Sequence, residues 1–183
     1  MVKGGLWLLG LLSLSTTAWS LEIESSAARY HDRRYQFEMV AWIDAPMDKV
    51  SAVLRDYAHY PRLDAHILEA RVLERPDDRS VVLGTVLRAC FGPFCRNVRR
   101  VERVEEAPLE LTAIVDPARS DVRFGETRTR LSVSGERVRV EYHTSVEPGF
   151  WLPPLVGRRW MLRTLQQATV ELFRNVEAQA QLK

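Results

Sequence analysis

Cysteine is nearly absent from this chain of 183 residues: only Cys90 and Cys95 are present, flanking Phe91-Gly-Pro-Phe94. Two thiols with no histidine close in sequence cannot complete a four-ligand zinc site, and their spacing is not the Cys-x-x-Cys of redox catalysts. Histidine is scarce as well, with four residues in all, which leaves few ready general bases. No Gly-rich phosphate loop, Ser-His-Asp set, carboxylate pair or metal-ligand spacing is visible, so no metal or cofactor is expected and no residue is assigned a catalytic role. An excess of one sign of charge is also missing. The formal net charge is +2, too small to give nucleic acid an electrostatic reason to bind. The arginine pairs Arg33/Arg34, Arg99/Arg100 and Arg158/Arg159 lie scattered among acids and read as solvated surface unless the fold gathers them.

Long apolar runs are confined to the start. Met1-Val-Lys3 is basic, Leu6 to Leu14 is apolar, and Ala18-x-Ser20 supplies small residues at the spacing of a cleavage site. This is the pattern of a secretory signal peptide, too short to span a bilayer comfortably, with cleavage expected before Leu21. Retention as an anchor is the alternative. Removing residues 1–20 takes one lysine and no acid, leaving +1. Export, with the bacterial periplasm as the expected compartment, makes a Cys90–Cys95 disulfide the natural state of the two thiols. So small a ring contributes only about 2 kcal/mol by chain entropy, and its expected role is to fix the shape of a turn.

Residues 21–34 form a mixed, polar leader in which Leu21 to Glu24 is a candidate short strand. From Tyr35 the chain is one domain to residue 183. Tyr35, Phe37, Met39, Ala41 and Ile43 alternate on one strand face; Met47 to Asp56 has helical spacing, and Tyr57 to Pro61 begins a second short helix or a turn. Strands then follow over 67–75, 81–89, 96–106, 109–115, 123–134 and 137–146, punctuated by turn residues. The third of these carries Val98, Val101 and Val104 at a spacing of three, reconciled with a strand by a bulge. After Pro154, Met161, Leu165, Ala168, Leu172 and Val176 make one apolar helical stripe. The fold class expected is α+β: about seven antiparallel strands, curved as a simple meander around a long C-terminal helix, with two short helices after the first strand.

Asp44-Ala-Pro46 followed by Val50-x-x-Val53-Leu54-x-Asp56-Tyr57-x-x-Tyr60-Pro61-x-Leu63 resembles the opening of START-like (SRPBCC) proteins, in the polyketide cyclase/dehydrase and lipid transport group that includes coenzyme Q-binding proteins. Ser120-Asp-Val-Arg-Phe through Leu131, and Val146 through Leu155, resemble the same group, so the similarity spans Tyr35 to Val176. It implies a helix-grip fold with a hydrophobic cavity between sheet and helix. It does not imply one function, since the fold hosts carriers, cyclases and hydrolases.

Strand parity then places side chains. Thr127, Thr129, Tyr142 and Thr144 face the cavity, whereas Glu126, Arg128, Arg130 and His143 face out. A meander brings the Cys90–Cys95 turn, the Asp116–Asp121 turn and the segment 148–156 to one end, opposite the short helices. There Phe91, Phe94, Phe150, Trp151, Leu152, Leu155 and Val156 would rim a mouth, or else plug the end of the core. Met161 and Leu165 would floor the cavity. The expected partner is a hydrophobic small molecule, such as a lipid, isoprenoid quinone or polycyclic compound, with transient membrane contact at the mouth. The alternatives are a cyclase or dehydratase using Tyr142 with Arg123 or His66, and a protein-interaction module whose core is closed. Arg100 and Glu102, on the strand of unsettled parity, decide how strongly binding is favoured over catalysis.

Overall fold

The structure, a computed structural model, describes residues 21–91, 94–152 and 156–182, with the side chains of Phe91, Phe94 and Val156 left aside. The apolar start and its cleavage point therefore lie outside the described residues. Two strands open the fold, β1 (Glu22–His31) and β2 (Arg34–Ile43), then come α1 (Met47–Leu54), a 3-10 turn (Tyr57–His59) and α2 (Tyr60–Leu63). Six strands follow: β3 (Ile67–Asp77), β4 (Ser80–Phe91), β5 (Phe94–Ala107), β6 (Glu110–Val115), β7 (Val122–Ser134) and β8 (Arg137–Pro148); α3 (Val156–Leu182) closes the chain. All eight strands form one antiparallel sheet ordered β1-β2-β8-β7-β6-β5-β4-β3. This is the expected α+β helix-grip class, with eight strands rather than seven. The leader is a full ten-residue strand along β2.

The six strands joined by short turns, β3 to β8, form the expected meander; β2 joins it at the β8 edge, and the helical passage carries the chain from β2 to the far edge at β3. One expectation needs correction: the bulge assigned to residues 96–106 is not there, and β5 runs against β4 in unbroken register from Phe94 to Glu105. Val98, Arg100, Glu102 and Val104 share the inner face, while Val101 points out. The helix-like spacing of the valines arises because the inward positions between Val98 and Val104 are filled by a charged pair.

The core divides along the length of α3. At the end where β2 leaves the sheet, Phe37, Met39, Ile43, Val50, Val53, Val138, Val140, Phe173 and Val176 are almost completely buried. Polar clamps fasten this end. The Asp44 N–H donates to Glu177 Oε1 (2.8 Å), Gln181 Nε2 to the Asp44 carbonyl (2.6 Å), and Asn175 Nδ2 to the Leu63 carbonyl (2.8 Å). Toward the other end small side chains, among them Ala113, Thr127, Thr144 and Ala168, line the space between sheet and helix, and it stays open.

Candidate functional site: a cavity between sheet and helix

The open space measures about 460 Å³, within the range of ligand cavities. Its sheet wall is built in cross-strand rows. Val104, Ala113, Thr127 and Thr144 form one row, and Leu111, Thr129 and Tyr142 another. Its helix wall is Trp160, Met161, Thr164, Leu165, Ala168, Thr169, Leu172 and Phe173. Leu54, Tyr60 and Leu63 close one side, and Val98, Val122, Val146 and Phe150 narrow the space toward the sheet end.

The polar groups form two sets on this apolar background. Thr127 and Thr144 share a 2.9 Å hydrogen bond between hydroxyls. Tyr142 is packed edge-on to Phe173 with ring centroids 5.3 Å apart. Burial pushes its phenol above the usual range, opposed by the charge of Arg100 and by hydrogen bonds to Thr144, Thr127 and Thr169. The second set lies on β5. Arg100 Nε sits 3.2 Å from Glu102 Oε2, with side-chain exposures of 27% and 7%. That nitrogen is buried without an aligned hydrogen-bond acceptor among the described residues, so the pair is charge-matched but not fully hydrogen-bonded, and both side chains border the cavity. Tyr60 donates to the Leu54 carbonyl at 2.8 Å. Burial first, and then the Glu102 carboxylate, hold its phenol far above its ordinary value.

Of the residues assigned from sequence, Thr127, Thr129, Tyr142, Thr144, Phe150, Met161 and Leu165 border this space. Trp151 does not; it is 78% exposed. Cys90 and Cys95 are opposite each other at the β4–β5 hairpin, disulfide-bonded, with Cα atoms 4.0 Å apart. The side chains of Phe91 and Phe94 and the whole of Leu155 lie outside the described residues. The rim segments do gather: the Gly149 N–H bonds the Asp121 carbonyl (2.9 Å), and the Arg99 N–H bonds Asp121 Oδ2 (2.8 Å). Arg96 stacks over the Phe150 ring at 4.5 Å. Arg123 is on the outer surface beside Glu147, away from Tyr142.

The short helices are not wholly at the opposite end. Helix α1 starts there, but the stretch after α2 returns toward the end that carries Cys90 and Cys95, where the Arg88 N–H bonds the His66 carbonyl. His66 thus borders the cavity, its Nδ1 2.8 Å from Asp64 Oδ1. Sequence reasoning also missed Thr169, 5% exposed, and Phe173, 1% exposed. Their spacing with Val176 and Ala180 was a detectable signal: a helical face wider than a single stripe.

No known protein-family profile matches the sequence, and no curated protein matches it. Solved structures do resemble the fold. A Streptomyces aromatase/cyclase is 16% identical, with a TM-score of 0.68 over 81% of this chain and 94% of that one. A START superfamily protein from Mycobacterium smegmatis is 15% identical, with a TM-score of 0.63 over 81% and 99%. A STAR-related lipid transfer protein from Xanthomonas axonopodis is 13% identical, with a TM-score of 0.68 over 88% of this chain and 99% of that fragment. The fold is START-like, as the motifs following Asp44 imply. At these identities the likeness concerns the fold.

Proposed function

We propose that this START-like domain is an exported carrier or sensor that holds a hydrophobic small molecule with a neutral polar head, such as an isoprenoid quinone or a hydroxylated polycycle. The observation that carries the reading is the Arg100–Glu102 pair bordering a cavity of about 460 Å³ whose other walls are mostly aliphatic, aromatic and hydroxyl side chains. A buried ion pair is a poor way to stabilise a fold, since desolvation offsets much of its attraction. It is a good way to present a donor and an acceptor side by side. An anionic head would gain the guanidinium but face the carboxylate 3.2 Å beyond it; a carbonyl or hydroxyl meets no such opposition. Likeness to a lipid transfer protein supports this use of the fold. A disulfide, together with the apolar start, supports export. Among the described residues no helix is long and apolar enough to cross a membrane.

Native mass spectrometry and organic extraction of protein purified from its own envelope test the reading. A stoichiometric neutral lipid is the expected result; repeated recovery of the empty protein, with no uptake of quinone or long-chain alcohol probes, would overturn it.

A second reading, a cyclase or dehydratase, is favoured by one observation: Glu102 and Tyr142, an acid and a phenol, border the same cavity. Likeness to an aromatase/cyclase belongs with it. Turnover of a poly-β-ketone probe, abolished by Glu102→Gln with the fold intact, would place that reading first.

A further inference from the structure

The fold gathers the arginine pairs that look scattered in the sequence. Beside the stretch after α2, where Asp64 lies against His66, the described residues of four segments lie at the disulfide end: 31–34, 88–99, 116–123 and 147–159. Tyr35 pairs with Val146, Cys90 with Cys95, and Gly149 bonds Asp121, so these segments adjoin. Together they hold nine arginines against four carboxylates, an excess of five positive charges. Arg33, Arg88, Arg96, Arg123, Arg158 and Arg159 are exposed. The four carboxylates have local engagements: Asp32 lies 3.0 Å from His31 Nδ1, Asp116 accepts from the Ala118 N–H, Asp121 from the Arg99 N–H, and Glu147 lies 3.3 Å from Arg33.

The turns at the other end, 44–49, 77–80, 105–110 and 134–137, reverse the balance. They carry eight carboxylates against three cations. A chain that is nearly neutral in total is therefore strongly polarised along the length of its sheet, from the end with the β2–α1 turn to the end that carries the disulfide. The cationic end also carries Trp151, 78% exposed and next in sequence to Phe150, whose ring is covered by Arg96. Cationic side chains around an exposed indole match the interface of an anionic bilayer, where phosphates attract arginine and the headgroup layer accommodates tryptophan.

We infer that the mouth end is a docking face for the surface of an anionic phospholipid membrane, with the acidic end held away from it by repulsion. The face uses the mouth of the proposed carrier but does not depend on the identity of its cargo. Docked this way, the cavity opens toward the lipid, and a water-insoluble molecule need not cross bulk solvent.

Flotation of the mature, disulfide-bonded protein with phosphatidylcholine vesicles, with and without phosphatidylglycerol at about one lipid in three, tests the inference. The protein is expected to float with the anionic vesicles only, and to be released as salt approaches about 1 M, where screening acts within ~3 Å. Arginines near such a surface contribute roughly fivefold each, so Arg96→Gln/Arg123→Gln/Arg159→Gln should weaken binding by roughly a hundredfold. The double charge removal Asp77→Asn/Asp78→Asn at the far end should not weaken it. Equal binding to neutral vesicles, an unaffected triple variant, or capture by a soluble acidic protein without flotation would overturn the inference. Uptake of a quinone probe by the triple variant in detergent solution reads the cavity separately, so loss of docking and failure of the carrier reading are distinguishable.

Discussion

Replacing Glu102 by Leu tests whether the ion pair belongs to the site or to the fold. The substitution conserves volume approximately but leaves the Arg100 guanidinium, 27% exposed, without its counter-charge. Orphaning a fully buried partner costs about 3–5 kcal/mol. Partial access to water reduces that here to about 2 kcal/mol, or a fall in Tm of roughly 4–8 °C for a domain of this size. Arg100→Met should cost more, about 3 kcal/mol, because Glu102 is the deeper member at 7% exposure and must stay charged in an apolar setting or take up a proton. The double variant Arg100→Met/Glu102→Leu removes both desolvation penalties at once. It should be as stable as the parent or more stable by about 1–2 kcal/mol, while losing affinity for any ligand with a polar head. Urea unfolding at pH 7, read as midpoints with unchanged slopes, supplies the cycle. If the double variant is less stable than the parent by as much as either single variant, the two side chains serve the fold and the argument for a ligand-facing polar patch fails.

Other outcomes follow from the mouth end. Replacing both Cys90 and Cys95 by Ala should lower stability by about 2 kcal/mol, seen as a lower Tm in oxidising buffer than the parent. At Gly149 a Cβ would meet the Asp121 carbonyl oxygen at 2.4 Å. Gly149→Ala should therefore displace the β6–β7 turn and lose the Gly149–Asp121 hydrogen bond, costing about 1–3 kcal/mol and speeding amide exchange at Gly149. The Arg99 backbone N–H, and next the Arg99 charge, hold the Asp121 carboxyl below the usual carboxylate range. Its folded pKa is lowered, so its stabilising effect is full above the unfolded value of about 3.9 and disappears as pH falls through the folded one. Asp121→Asn should flatten the acid limb of stability against pH below about pH 4, measured by urea midpoints; an unchanged limb would refute the assignment.

How far the sequence could be read depended on what each pattern rested on. The inner face of β2, Tyr35 to Ile43, was legible because one side chain in two is apolar and buried, and that of β8, Val138 to Val146, because its alternate side chains are mostly apolar. Strand β5 was not, because its inward positions mix Val98 and Val104 with Arg100 and Glu102, and hydropathy alone assigns charged residues to solvent. Pairing of β2 with β8 was also illegible: it joins residues about a hundred positions apart, and no local turn chemistry encodes such a contact. The same holds for His66, whose place beside Arg88 follows from the route of the chain after α2. Charge polarisation between the two ends escaped for a related reason. It depends on which turns share an end, and that is a property of register.

Side-chain size explains why α3 supports both a solid core and a cavity. Where the helix meets β2 and α1, it contributes Phe173, Val176 and Ala180 against Phe37, Met39, Ile43, Val50 and Val53, and these fill the space to about 0–2% exposure. One to three turns earlier it offers Met161, Thr164, Leu165 and Ala168, while the facing strands offer Ala113, Thr127 and Thr144. The short side chains of the strand wall, with Thr164 and Ala168 opposite, do not fill the gap that the longer ones set at the packed end. The packed half and its clamps through Glu177, Gln181 and Asn175 hold α3 at that distance, so the open half does not collapse when empty. Collapse is also opposed chemically. Closing the walls would press the Arg100–Glu102 pair and the hydroxyls of Tyr142 and Thr127 against Leu165 and Ala168, with a desolvation cost that an apolar lining would not incur. The polar patch that would read the head of a ligand thereby also helps to keep its place vacant.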